Sequence, residues 1–258
     1  MTIYQHFREH EHPFVDRVLD WMINVKDNYS VYITDFLNPR ERKIVATIIG
    51  TKNEEVKFSF FGGIDKAERQ RAIIAPYFVE INEEDFEIVA LEAKYASQFV
   101  TLSHRDVLGA FTSLGIERKM VGDIIVQDGT IQLITTKTFK PYIIQQLTKI
   151  KRTSVSFKEI PFNLLEKIDE EWIQRKYTVS SLRLDVVLKS VFHLSRNHAT
   201  KLINSEKVSV NFSVETDQTT LLEEDDLISA RGYGRCKIES INGITKKDKI
   251  RIVVSHLS

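Results

Sequence analysis

Positively charged and polar side chains are concentrated between residues 183 and 207, at spacings that suit contact with a phosphate backbone. Lysine and arginine contribute five positive charges to this segment, whereas Asp185 and Glu206 are its only acids. An excess of positive charge on one small unit is what binding to structured RNA needs, because every nucleotide carries a negative phosphate. The candidate RNA-contacting residues here are Arg183, Lys189, Ser195, Arg196, Asn197, Lys201 and Lys207.

Two features extend this prediction from charge to recognition. Asn197 lies four residues before Lys201, so both fall on one exposed helix face, where the amide can reach a ribose hydroxyl or a base edge. Further along, Arg231 and Arg235 flank a Gly-Tyr-Gly triplet that follows a predicted strand and is typical of a hairpin loop. We expect these two arginines to flank the bound RNA.

The elements that must hold these side chains can be predicted from the apolar pattern. Leu184, Val187, Leu188 and Val191 have the i, i+3, i+4, i+7 spacing of one buried helix face. Ser195 is a suitable N-cap for a second helix, whose buried positions are Ala199, Leu202 and Ile203. Residues 208–211 then alternate between apolar and polar, as a half-buried strand does.

This order of elements resembles the S4 domain, a small RNA-binding module. The resemblance rests on Arg183-Leu184-Asp185, Ser195-Arg196, the run from Lys207 to Asn211, and the later strand from Asp226 to Ala230. Two positions depart from the family pattern, which usually has glycine near Ser205 and after Asn211. The Arg-Leu-Asp triplet also occurs in pseudouridine synthases, where the aspartate is the nucleophile. Here the triplet lies inside the first S4 helix and too few residues follow it for a catalytic domain, so no catalytic residue is predicted.

The remaining sequence predicts an α+β chain with two further domains before the S4 block. Residues 1–80 form a mixed, mainly helical domain, with helices around Phe14–Val25, from Pro39 and over 66–71, and a strand over 55–60. Residues 81–160 read strand, helix, strand, strand, helix, strand, which is the split βαβ order of ferredoxin-like domains and RNA-recognition motifs. Residues 161–180 are predicted to be a helical linker into the S4 domain at 181–258.

Details of the middle domain follow from capping and turn signals. Strands are expected at 86–92, 124–126, 131–134 and 153–160, and Ser103 caps a helix that Gly115 ends. Asp128-Gly129 is a strong hairpin signal between the two central strands. Residues 131–135 contain no aromatic side chain, so base stacking of the kind seen in RNA-recognition motifs is not expected there. A scaffold or protein-contact role for this domain stays open.

With all three parts in order, the chain resembles the YlmH-type S4-domain proteins of bacteria. The resemblance rests on the runs Tyr32–Glu41, Gly62–Arg69, Leu114–Arg118 and Gly122–Ile124, together with the S4 block. It implies a cytoplasmic, non-enzymatic RNA-binding protein. The family is linked to the large ribosomal subunit, ribosomal RNA and tRNA, and to the rescue of stalled translation. No cofactor is implied.

Composition excludes several other classes of protein. The formal net charge is zero, which argues against a wholly basic RNA-coating protein, and one cysteine cannot form a disulfide or a cysteine-based zinc site within one chain. No signal peptide or membrane-length apolar run is found, and no metal site is predicted. Two alternatives remain at this point: an RNA-modifying enzyme to which the S4 module delivers substrate, and an adaptor whose middle domain holds a protein partner.

Overall fold

The chain divides into two units, residues 1–168 and 169–258. The computed structural model describes residues 3–50, 53–127, 129–166 and 171–257. The first unit contains three connected groups of buried side chains, and the second unit is built around one. The predicted α+β class, with its helical and mixed N-terminal part, its ferredoxin-like middle part and its S4 part, is confirmed.

The N-terminal part packs two helices on one small sheet. Its elements are α1 (His12–Asn28), β1 (Tyr32–Leu37), α2 (Pro39–Ile49), β2 (Val56–Phe61) and β3 (Gln70–Pro76). The strands pair antiparallel in the order β1-β3-β2. Helix α2 begins as predicted, because Asn38 and Glu41 each accept a hydrogen bond from the other's backbone N–H, at 2.9 and 2.8 Å.

The helix predicted over 66–71 is wrong. Lys66 has a left-handed φ of 59° in a turn, and the chain enters β3 at Gln70. Arg71 is buried and donates to the carbonyl oxygens of Thr34 and Phe86, at 2.7 and 2.6 Å. Pairing with strands on both sides therefore outweighs the helix propensity of this charged run, which a local pattern cannot reveal.

The middle part has the predicted ferredoxin-like order. Its elements are β4 (Ile88–Lys94), α3 (His104–Ser113), β5 (Val121–Gln127), β6 (Thr130–Thr136), α4 (Lys140–Gln146), β7 (Lys149–Ile150), β8 (Thr153–Ser154) and β9 (Lys158–Ile160). The main sheet has the order β5-β6-β4-β9, and every neighbouring pair is antiparallel. The two central strands of the predicted hairpin, β5 and β6, do pair, but Asp128 lies outside the described residues.

Two strand boundaries differ from the prediction. The first strand begins at Ile88, because residues 83–86 form a turn of 3-10 helix that ends at the buried Phe86. The last predicted strand, 153–160, is interrupted: β8 pairs with β7 in a small separate ladder, and only β9 joins the main sheet. Val155 and Phe157 lie between them and are buried in the core under the helices. Because these two buried residues continue the apolar alternation, the sequence of 153–160 has the pattern of one uninterrupted strand.

The second unit is a six-stranded antiparallel sheet with two helices on one face. Its elements are β10 (Trp172–Val179), α5 (Leu184–Val191), α6 (Arg196–Asn204), β11 (Val208–Val210), β12 (Ser213–Val214), β13 (Leu227–Ala230), β14 (Gly234–Ile244) and β15 (Ile250–Leu257). The sheet order is β10-β15-β14-β13-β11-β12. Helix residues such as Leu188 and Ile203 pack with Ile228 and Cys236 of the sheet in one core.

The helical linker predicted for 161–180 is wrong over residues 172–179. These residues form β10, which pairs residue by residue with β15, from Trp172 opposite Leu257 to Val179 opposite Ile250. Aromatic and β-branched residues in this stretch are typical of strands, but its partner is more than seventy positions away in the sequence. Residues 167–170 of the predicted linker lie outside the described residues.

Candidate nucleic-acid interface

A buried carboxylate organises the start of the two-helix segment. Asp185 is fully buried in α5, and Arg183 donates to both of its oxygens, from Nε to Oδ1 at 3.0 Å and from Nη2 to Oδ2 at 3.3 Å. Arg196, at the first position of α6, places its Nε 3.5 Å from Oδ2. One acid therefore pairs with two arginines at the starts of consecutive helices. Its carboxylate is too enclosed to act as a nucleophile, which argues against the pseudouridine-synthase interpretation of the triplet.

Helix α6 presents three of the predicted contact residues to solvent. Ser195 is its N-cap, as predicted, and its hydroxyl accepts a hydrogen bond from the backbone N–H of His198 at 3.2 Å. Arg196, Asn197 and Lys201 are all exposed. The opposite side of the helix is anchored in the core by Ala199, Leu202 and Ile203. Burial of that side turns the cationic side outward.

The β13–β14 turn lies beside α6. Arg231 follows β13, and its backbone N–H donates to the carbonyl oxygen of Lys207 at 2.8 Å, which places these two exposed cations side by side. Tyr233, in the same turn, forms a hydrogen bond between its hydroxyl and Nε2 of His198 on α6, at 3.0 Å. The hairpin predicted at this turn is confirmed, since Ala230 pairs with Gly234. Contacts thus join the turn to Lys207, through Arg231, and to α6, through Tyr233.

The other two predicted cations, Lys189 and Arg235, stand on α5 and β14. Lys189 is exposed on α5. Arg235 neighbours Cys236, which points into the core below the helices, so the alternation of a strand directs Arg235 to the other face of the sheet. There its guanidinium lies 5.6 Å from the ring centroid of Phe212. Asn211 and Phe212 form the two-residue β11–β12 turn with φ of 51° and 70°, the left-handed conformation for which the S4 pattern prefers glycine after the Asn.

We name the group Arg183, Arg196, Asn197, Lys201, Lys207 and Arg231 the α6 surface. Sequence reasoning found these residues but missed three that hold or border them. In the sequence, Asp185 is an opposing charge and part of the Arg-Leu-Asp triplet, and its burial depends on the fold. His198 and Tyr233 are thirty-five positions apart in the sequence and meet only in the tertiary structure. A tyrosine between two glycines in a predicted loop was the one local signal that pointed to an exposed aromatic residue.

Comparison with known proteins accounts for nearly the whole chain. Residues 10–78 match the model "YlmH, N-terminal", residues 82–164 match "Putative RNA-binding domain in YlmH", and residues 182–228 match "S4 domain". The chain is 39% identical over 250 residues to "Ribosome-associated protein quality control protein P2" of Bacillus subtilis (strain 168), covering 97% of this chain and 96% of that protein. The chain belongs to the YlmH family. A solved structure, "Cell division protein ylmH from Streptococcus pneumoniae", matches with a TM-score of 0.55 and 35% identity, covering 65% of this chain and 100% of that one.

The YlmH-family motifs of the first unit meet at its internal interface. The carboxylate of Asp123, in the Gly122–Ile124 motif, accepts hydrogen bonds from the backbone N–H groups of Glu68 and Arg69 at 2.7 and 3.0 Å. Burial raises the pKa of Asp123, and these two hydrogen bonds oppose that rise. Arg118 donates to the carbonyl oxygens of Val121 and Gly122, and burial, helped by the charge of Arg69, lowers its pKa to about 10. These motifs join the N-terminal part to the middle part.

That junction covers the sheet face that an RNA-recognition motif uses for RNA. On one face of the middle sheet, Leu91 and Leu133 pack against α3 and α4. On the other face, Ile88 and Ile134 pack with Phe36 and Ile73 of the N-terminal sheet. Because both faces are buried within the first unit, bases cannot stack on these central strands. The part of this chain that matches "Putative RNA-binding domain in YlmH" must therefore use its edges, loops or helices for any RNA contact.

In the described parts of the chain, no helix is long and apolar enough to span a membrane. Over the same residues, no three histidine, cysteine, aspartate or glutamate side chains form a group with the arrangement of a metal site.

Proposed function

We propose that this chain is a cytoplasmic, non-enzymatic RNA-binding protein whose α6 surface lies against the backbone of structured RNA. The observation that carries the proposal is the cationic side of α6, whose first arginine is held, with Arg183, by the buried carboxylate of Asp185. Fixed cations lose less conformational entropy on binding than mobile ones, so they favour the bound state. The S4 and YlmH family models support the same function.

We further propose that the RNA is ribosomal RNA or tRNA at the large ribosomal subunit, and that binding serves the rescue of stalled translation. Support comes from the Bacillus subtilis relative, whose name describes a ribosome-associated quality control protein. The two proteins align over nearly their full lengths, so they share all the matched domains.

The direct test removes two charges from the α6 surface. We expect Arg196→Ala/Lys201→Ala to weaken RNA binding by at least about tenfold, since one charge-assisted contact contributes roughly 1.5–3 kcal/mol. The slope of log affinity against log salt should fall by about 0.7–0.9 for each phosphate contact removed. The matched control is Lys246→Ala/Lys247→Ala, which removes the same charge from the exposed β14–β15 turn. Equal binding by the two double variants would show that the α6 surface is not the interface.

The ribosomal part of the proposal needs its own measurement. The parent protein and both double variants are sedimented with ribosomal subunits and polysomes over a series of salt concentrations, and crosslinked RNA is sequenced. We expect salt-sensitive migration with the large subunit, with crosslinks to its RNA and to tRNA, for the parent and the control only. If the parent stays at the top of the gradient at low salt, the ribosome is not the partner.

A further inference from the structure

The turn between β13 and β14 displays an aromatic ring next to the α6 surface. Tyr233 stands between Gly232 and Gly234, whose φ values of 91° and 106° are open to glycine but strained for other residues. Around both glycines no atom lies within contact distance of the place a Cβ would take, so both glycines face open space. Tyr233 itself is 41% exposed. A large aromatic side chain in such an open turn gains less from burial than one in the core.

The Tyr233 ring is nevertheless held in place by neighbouring aromatic side chains. Its centroid lies 6.1 Å from that of Phe192, and Phe192 in turn packs edge-on against His256 at 6.2 Å. His198 meets Tyr233 edge-to-face at 5.8 Å and bonds its hydroxyl. A ring fixed by a packing contact and a hydrogen bond is already oriented before any ligand arrives.

Charges around the ring determine which ligand suits it. Arg231 precedes it by two residues beside Lys207, and Lys201 lies one helical turn after His198 on α6. Beyond Phe192, burial lowers the pKa of His256, and the charge of Arg175 adds to this effect. Glu206 is the acid closest in sequence to Lys207. An exposed ring among cations fits a base attached to a phosphate backbone, since the base stacks while the phosphates pair with the charges.

We propose that Tyr233, held by His198 and Phe192, is a stacking platform for one unpaired RNA base next to the phosphate contacts of the α6 surface. This inference rests on the proposed RNA-binding function and adds a structural preference to it. Cations alone attract any phosphate backbone, whereas a stacking ring favours RNA with a base out of its duplex. The platform therefore selects loops, bulges or single-stranded ends over continuous duplex.

The test compares two RNA probes and three variants. The probes are a stem-loop with an unpaired loop and a duplex of the same stem without the loop. Tyr233→Leu keeps apolar bulk but loses the aromatic face, Tyr233→Phe keeps the face but loses the hydroxyl, and Tyr77→Leu is the matched control on an exposed tyrosine of the first unit. We expect Tyr233→Leu to weaken stem-loop binding by about 5- to 150-fold, which corresponds to the stacking of one base. Duplex binding and the salt slope should stay as in the parent.

Unchanged duplex binding also shows that Tyr233→Leu is folded. Tyr233→Phe should bind the stem-loop nearly as the parent does, and so should Tyr77→Leu. Equal loss of stem-loop binding in the Tyr233→Phe and Tyr233→Leu variants would assign Tyr233 a structural role through its hydroxyl. If Tyr233→Leu binds each probe with the same affinity as the parent, Tyr233 is not a stacking platform. If instead the parent binds neither probe, or if Arg196→Ala/Lys201→Ala binds both as the parent does, the proposed function itself is wrong.

Discussion

Replacing Asp185 with asparagine tests whether a buried acid positions the arginines of the α6 surface. The change keeps the size of the side chain and one carbonyl oxygen, and it removes the charge that pairs with Arg183 and Arg196. The paired hydrogen bonds from Arg183, whose side chain is 31% exposed, contribute roughly 1.5–3 kcal/mol. The pair with Arg196 contributes only about 0–1 kcal/mol, because that side chain is 68% exposed and screened by solvent.

The remaining amide oxygen recovers about 0.5–1.5 kcal/mol as a neutral acceptor. We therefore expect Asp185→Asn to lower the free energy of unfolding of the second unit by about 1–3 kcal/mol. Hydrogen exchange of the full chain, followed by mass spectrometry, measures this locally. Amides in α5 and α6 that exchange only when the unit opens should exchange about 5- to 150-fold faster, while those in β2 of the first unit keep their rates.

The same variant separates positioning from charge in RNA binding. Asp185→Asn makes the surface more positive by one charge, so simple attraction predicts tighter binding. We expect weaker binding, because Arg183 and Arg196 must then be ordered by the RNA at a cost of about 0.5–1.5 kcal/mol for each side chain. Asp248→Asn is the matched control: it makes the same change at an exposed turn whose φ of 53° asparagine tolerates. Unchanged exchange rates, or tighter RNA binding than the control, would refute the positioning role.

Two further predictions concern the first unit and are checked by urea unfolding of the full chain. A Cβ at Gly122 would lie 2.8 Å from the buried ring of Phe36, so we expect Gly122→Ala to destabilise the junction by about 1–3 kcal/mol. Gly109 lies within α3, and a Cβ there would face open space, so Gly109→Ala should stabilise the first unit by about 0.5–1 kcal/mol. An equal effect of the two substitutions on the free energy of unfolding would contradict the packing argument. Hydrogen bonds from the Lys151 ammonium and from Ser103 lower the pKa of Asp106 to about 2, below its ordinary 3.8. The ionised Asp106 carboxylate therefore stabilises the folded state fully above its unfolded pKa, and this stabilisation is lost as pH falls through its folded pKa. The loss of stability caused by Asp106→Asn should be full at about pH 5 and smaller near pH 2. A loss of stability that does not depend on pH would contradict this reasoning.

For the middle sheet, the predicted order of strands and helices was correct, but it did not show which face of the sheet could bind RNA. The order of strands and helices was readable from capping and turn signals, and the absence of aromatic residues over 131–135 argued against stacking there. The decisive fact is that Ile134 packs with Phe36 and Ile73 of the N-terminal part. These contacts join residues far apart in the chain, and no periodicity within β6 distinguishes a face that binds RNA from one that binds another sheet.

The sequence by itself determined the family, the split βαβ order of the middle part and the starts of the capped helices. Ser195 and the Asn38–Glu41 pair cap helices through bonds within one turn, and the apolar stripe of α5 needs only its own spacing. The tertiary structure alone decided the burial of Asp185, the pairing of β10 with β15, and the meeting of His198 with Tyr233. Sequence patterns report interactions over a few residues, whereas these contacts exist only because the folded core brings distant segments together.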